Sequence, residues 1–134
     1  MKSKQILSVE QMKHLQELGL DTSDGSMCWC YALSYKNAKW ELEIYEDVIN
    51  QKRDSAFWEI IPTYTLQDIL DKLPTLIIIS SDFYKICIEP SCGYWDIYYY
   101  KSDATELISK KSENIIDAAY DMLCWCIENG YVEK

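Results

Sequence analysis

The chain has one histidine, four glycines and three prolines among 134 residues. A histidine-centred triad or catalytic zinc site would have to recruit His14, which lies between Lys13 and Leu15 beside an apolar stripe rather than in it. Gly19, Gly25, Gly93 and Gly130 all fall where helices end or turns are expected, so none remains for a phosphate-cradling loop. Neither GxGxxG nor GxxxxGK[ST] occurs. The residues therefore call for no nucleotide cofactor. Positive charge is also scarce. Thirteen Lys and Arg against 22 Asp and Glu leave a formal net charge of −9, which argues against direct binding to polyanionic nucleic acid. The longest unbroken apolar run, Met27 to Leu33, is far too short to span a membrane. The first residues, MKSKQILSVEQMKHLQ, lack the apolar core and small-residue cleavage site of a secretion signal. The expectation is a cytoplasmic protein with no membrane partner.

What is present is hydrophobic patterning sufficient for one packed domain over residues 1–134. Ser8 and Gln11 form a capping box ahead of Val9, Met12, Leu15 and Leu18, predicting a helix over about 9–18 closed by Gly19. From Met27 the period becomes two. Met27, Trp29, Tyr31 and Leu33 alternate with Cys28, Cys30, Ala32 and Ser34; SYKNAK turns, and Trp40, Leu42 and Ile44 alternate with Glu41 and Glu43. Asn50 to Ser55 reads as a loop and Ala56 to Ile61 as a third strand. Thr65 with Asp68 opens a second helix, with Leu66, Ile69, Leu70 and Leu73 on its buried stripe, and Pro74 stops it. Strands are predicted at Leu76–Ser80, Phe83–Glu89 and Tyr94–Tyr100, and a long helix over Asn114–Asn129. The predicted order is α-β-β-β-α-β-β-β-α. Short connections imply antiparallel pairing, hence an α+β fold with helices on one face of a sheet.

Six cysteines include two CWC triplets, Cys28-Trp29-Cys30 and Cys124-Trp125-Cys126. The spacing is not the CxxC of a zinc knuckle or a thioredoxin motif. On a strand Cys28 and Cys30 share a face, whereas residues two apart on a helix diverge by ~200°, so Cys124 and Cys126 do not form a pair. The one four-thiolate set on offer is Cys28, Cys30, Cys87 and Cys92; buried structural thiols are the plainer reading. Glu41 with Glu43, and Asp117, Asp121 and Glu128, are carboxylate sets for a hard cation or an acid–base pair. Each is more simply the wet face of an amphipathic element.

Aromatics are the positive signal: eleven Tyr, five Trp and two Phe. Tyr94, Tyr98 and Tyr100 share one face of their strand with Asp96, and rigid amphipathic rings suit protein contacts. The expected surface is this tyrosine face with Glu41 and Glu43 as rim. The last helix carries a broad apolar band (Ile116, Ala119, Tyr120, Leu123, Ile127, widened by Ile115, Met122 and Cys126) that predicts either deep burial or a homodimer.

The segments Ile61 to Pro74 (IPTYTLQDILDKLP), Asn114 to Tyr131 (with AAYDMLCWCIENGY) and Ser8 to Leu20 resemble small proteins encoded by phages, prophages and other mobile elements of gut bacteria. The resemblance covers the helices and implies a setting and a size class, with no functional residue to carry over. The resulting expectation is a non-enzymatic protein acting through contacts with a protein partner, an acidic inhibitor of a host factor included. The alternative is a metal-binding or hydrolytic enzyme built on Cys28/Cys30 or a carboxylate cluster.

Overall fold

The computed structural model describes residues 4–134. Its elements are α1 (Val9–Glu17), β1 (Met27–Ala32), β2 (Glu41–Ile44), α2 (Tyr45–Gln51), β3 (Trp58–Thr63), α3 (Leu66–Lys72), β4 (Leu76–Ile79), β5 (Asp82–Ser91), β6 (Tyr94–Tyr100), β7 (Glu106–Ser112) and α4 (Ile115–Glu128). The fold is α+β, and the predicted succession of elements is present with two additions, α2 and β7. The strands do not form one sheet. They divide into a three-stranded sheet, β2-β1-β3, and a four-stranded sheet, β4-β5-β6-β7, both antiparallel.

Both predicted capping boxes close. The Gln11 amide donates to Ser8 Oγ at 3.1 Å while Ser8 N–H donates to Gln11 Oε1 at 3.0 Å. At α3, Asp68 N–H donates to Thr65 Oγ1 at 3.2 Å and Thr65 N–H to Asp68 Oδ2 at 2.9 Å. Each box satisfies two amides that the first helical turn leaves without partners. Gly25 has a different role from a simple turn former. A Cβ there would stand 2.6 Å from the Thr63 carbonyl oxygen, so its missing side chain lets the α1–β1 connection press against the end of β3.

The main core lies between the inner face of the four-stranded sheet and the helices. Ile97 and Tyr99 of β6 meet Ile116, Ala119, Met122, Leu123, Cys126 and Ile127 of α4, with Met12 and Leu15 of α1 and Ile69 of α3 in the same cluster. The apolar band of α4 is thus covered by its own chain and is not a free dimerisation stripe. The three-stranded sheet shares this core through Trp29 and Ile61, and Trp29 Nε1–H donates to the Leu7 carbonyl at 2.9 Å. On its other face a second, small cluster gathers Cys28, Cys30 and Val48, flanked by Tyr45, Trp58 and Ile60. Among the described residues no helix is long and apolar enough to cross a membrane.

Candidate functional site

The outer face of the four-stranded sheet follows from its register. Leu76 pairs with Lys85, which pairs with Tyr100; Cys87 pairs with Tyr98, which pairs with Ser109; Glu89 pairs with Asp96, which pairs with Lys111. Directly opposed residues share a face, so these rows all point away from the core occupied by Ile97 and Tyr99. At the β4 edge, Ile78 faces Phe83, and the two are 57% and 56% exposed. Among the described residues the helices pack on the opposite face, with Ile97 and Tyr99, and none lies over these rows. Tyr98 and Tyr100 are half-buried by one another, their ring centroids 5.6 Å apart, and Tyr98 Oη donates to Glu89 Oε1 at 3.1 Å. The Cys87 thiol, slight desolvation and the Glu89 carboxylate push the Tyr98 hydroxyl up, so it stays a neutral donor. Asp96 is buried in the middle of the rows and accepts from Ser109 Oγ at 2.6 Å. A groove of about 420 Å³ opens at one end, lined by Phe83, Lys85, Tyr100 and Lys101.

The predicted tyrosine face is therefore one surface, with Tyr94 exposed near its far end. Its expected acidic rim is not. Glu41 and Glu43 belong to β2 of the other sheet, where they oppose Cys30 and Cys28. Sequence reading missed the apolar end formed by Leu76, Ile78 and Phe83, because three consecutive isoleucines conceal which of them points outward. The signal that finds it is the β4–β5 register.

The second cluster assembles around the first CWC triplet. Strand alternation puts both thiols on one side, Cys28 Sγ to Cys30 Sγ 3.6 Å, with exposures of 0% and 1%. Beside them Arg53 clamps Glu43 bidentately, Nη1 to Oε2 and Nη2 to Oε1 both at 2.7 Å, and its guanidinium stacks 4.5 Å over the Trp58 ring. Burial pushes both thiols up, and the Glu43 carboxylate adds to this; the Cys28–Cys30 contact partly offsets the rise at Cys28 and reinforces it at Cys30. Hydrogen bonds from Arg53 hold Glu43 below the ordinary carboxylate range. An open cleft of about 590 Å³ reaches this cluster, with Cys30, Tyr35, Lys36, Lys39, Glu41 and Trp58 in its lining.

The four candidate thiolates are not brought together. Cys87 sits on the outer face of the other sheet, and Cys92 is exposed in the β5–β6 turn. Among the described residues no group of three or more His, Cys, Asp or Glu side chains is placed to hold a metal ion. Cys124 and Cys126 diverge along α4, as helical geometry requires. Burial pushes the Cys126 thiol up to about 11, the nearby Tyr99 hydroxyl offsetting part of the rise. The α4 carboxylates have separate environments. Asp117 accepts from Lys4 Nζ at 2.8 Å and Gln11 Nε2 at 3.0 Å, whereas Asp121 and Glu128 line a shallow groove with His14, Tyr120 and Cys124. His14 is a boundary residue, 3.7 Å from Glu17 and 6.3 Å between ring centroids from Tyr120.

No family model, curated protein or solved structure matches this chain at a significant level. The functional reading thus stands on the geometry.

Proposed function

We propose that this chain is a small non-enzymatic protein that acts in the cytoplasm by binding another protein through the outer face of β4-β5-β6-β7. The observation that carries the reading is the exposed row of Leu76, Ile78 and Phe83 running into Tyr98 and Tyr100 on a face with no helix over it. Apolar area left in water costs ~25 cal/mol per Å², and such a patch bordered by polar residues is how interaction sites present themselves. Tyrosine supplies contact area at little conformational cost, and Glu89 and Lys111 on the same face offer charged groups to orient a partner.

The net charge of −9 adds a preference for a cationic partner, and an acidic inhibitor seated on a basic site of a host factor fits it. The mobile-element setting implied by the helical segments is consistent with that role. A metal-dependent or hydrolytic enzyme is less well supported. The Cys28/Cys30 thiols are buried and neutral, and the carboxylates are dispersed or already engaged. Affinity capture from host lysate with wild-type protein, Phe83→Asp and Tyr98→Ala, each washed at low and high salt, tests the reading. A discrete partner lost with both variants and weakened by salt is expected. Capture that survives both substitutions would show that a different surface is used.

A further inference from the structure

The dithiol at the end of the cleft serves no role in the proposed interaction face, and its geometry has a chemical meaning of its own. Two thiolates bound at ~2.3 Å to one pyramidal or tetrahedral centre stand ~3.4–3.8 Å apart. The Cys28 and Cys30 sulfurs are already 3.6 Å apart and on one side of β1, so their separation suits a bridging centre as it stands. The occupant is constrained by what surrounds the pair. No third His, Cys, Asp or Glu completes a ligand set among the described residues, and the Glu43 carboxylate is held bidentately by Arg53. Zinc, which wants three or four protein ligands, does not suit such a site. A bare monovalent ion on two thiolates would leave a net negative charge on a buried pair beside Arg53, a cation already matched by Glu43. A trivalent centre carrying one substituent of its own takes two thiolates and is neutral. Its substituent needs somewhere to go, and the cleft past Cys30, walled by Trp58 and Tyr35, supplies both that space and an entry path.

We propose that Cys28 and Cys30 form a chelating site for a trivalent, thiophilic metalloid of the monosubstituted arsenical class, admitted through this cleft. The two S–H bonds and the As=O bond of R–As=O are exchanged for two As–S bonds, and both thiol protons leave with the oxygen as one water. Arsenic remains trivalent and nothing is oxidised or reduced. The test is phenylarsine oxide added to the folded protein, read by native mass spectrometry. One equivalent is expected on wild type, on Cys87→Ser and on Cys92→Ser, removable by a competing small dithiol, and none on Cys28→Ser or Cys30→Ser. Should either of these last variants fail to fold, wild type alone answers: after loading, alkylation under denaturing conditions must find Cys28 and Cys30 protected and the other four cysteines modified. No adduct on the folded protein, or protection mapped to any other pair, overturns the proposal. These outcomes do not depend on whether the tyrosine face binds a partner.

Discussion

Asp117 and Asp121 lie one turn apart on α4, yet their carboxyls are driven in opposite directions. Partial burial works against the Asp117 charge, but hydrogen bonds from Lys4 and Gln11 outweigh it and hold the group below its ordinary value of 3.8. Asp121 is raised by desolvation, which the more distant Lys110 does not offset. A depressed carboxyl contributes stability that is full above the unfolded pKa and is lost as pH falls through the folded one; a raised carboxyl imposes a penalty that fades as pH falls. Asp117→Asn is therefore expected to lower stability at neutral pH by ~1 kcal/mol, and Asp121→Asn to leave it unchanged or raise it by less than ~1 kcal/mol. Both differences should shrink below pH 4 in urea melts. Equal losses from the two substitutions would contradict the assignment.

The Glu43–Arg53 clamp predicts an acid-sensitive small cluster. Because Arg53 depresses Glu43, the clamp's contribution is present at neutral pH and disappears as pH falls below the ordinary carboxylate value of 4.5 and through the folded pKa. Arg53→Ala removes both hydrogen bonds to Glu43, the Nε donation to Gln51 and the cover over Trp58, an expected loss of ~1–3 kcal/mol at pH 7. Arg53→Lys should recover only part of it, since an ammonium cannot reproduce the fork. Thermal melts of the two variants at pH 7 and pH 4 provide the measurement.

Neighbouring positions on β6 separate core from surface. Ile97 is fully buried against α4, so Ile97→Ala should cost ~2–5 kcal/mol. Tyr98, one residue on, points outward, and Tyr98→Ala is expected to stay within ~1 kcal/mol of wild type. Chemical denaturation of both variants distinguishes a binding face from a covered one.

Gly25→Ala gives a steric test of the α1–β1 connection. Gly25 lies outside the left-handed region, so the cost considered is that of the added methyl meeting the Thr63 carbonyl oxygen at 2.6 Å. A loss of ~1–3 kcal/mol is expected, at ~4 °C of Tm per kcal/mol for a chain of this size. An unchanged Tm would mean that the contact relaxes freely.

Much of the fold is legible wherever a local rule acts alone. The capping residues Ser8 and Thr65 and the stop at Pro74 place α1 and α3, and the alternation of β1 and β6 puts Ile97 and Tyr99 inside with Tyr98 and Tyr100 outside. Two elements escaped. α2 buries only Val48 and has no side-chain cap, so its helix comes from packing on β1 and β2 and not from its own pattern. β7, ELISKKS, carries two lysines and gains strand character by pairing with β6, a long-range effect that local periodicity does not report. The split into two sheets is likewise a tertiary outcome. That split is why Glu41 and Glu43 border the dithiol while the tyrosines lie on the other sheet, and why the cysteine pairs never meet.

The alternation of β1 has a consequence for how the molecule comes apart. Cys28 and Cys30 belong to the small cluster, and Trp29 between them belongs to the large one. The same strand therefore supplies side chains to both interiors, and β3 repeats the pattern with Ile60 and Ile61. Neither interior can open without stripping the strand that seals the other. The two sheets should melt in a single cooperative transition, with β1 amides among the last to exchange with solvent.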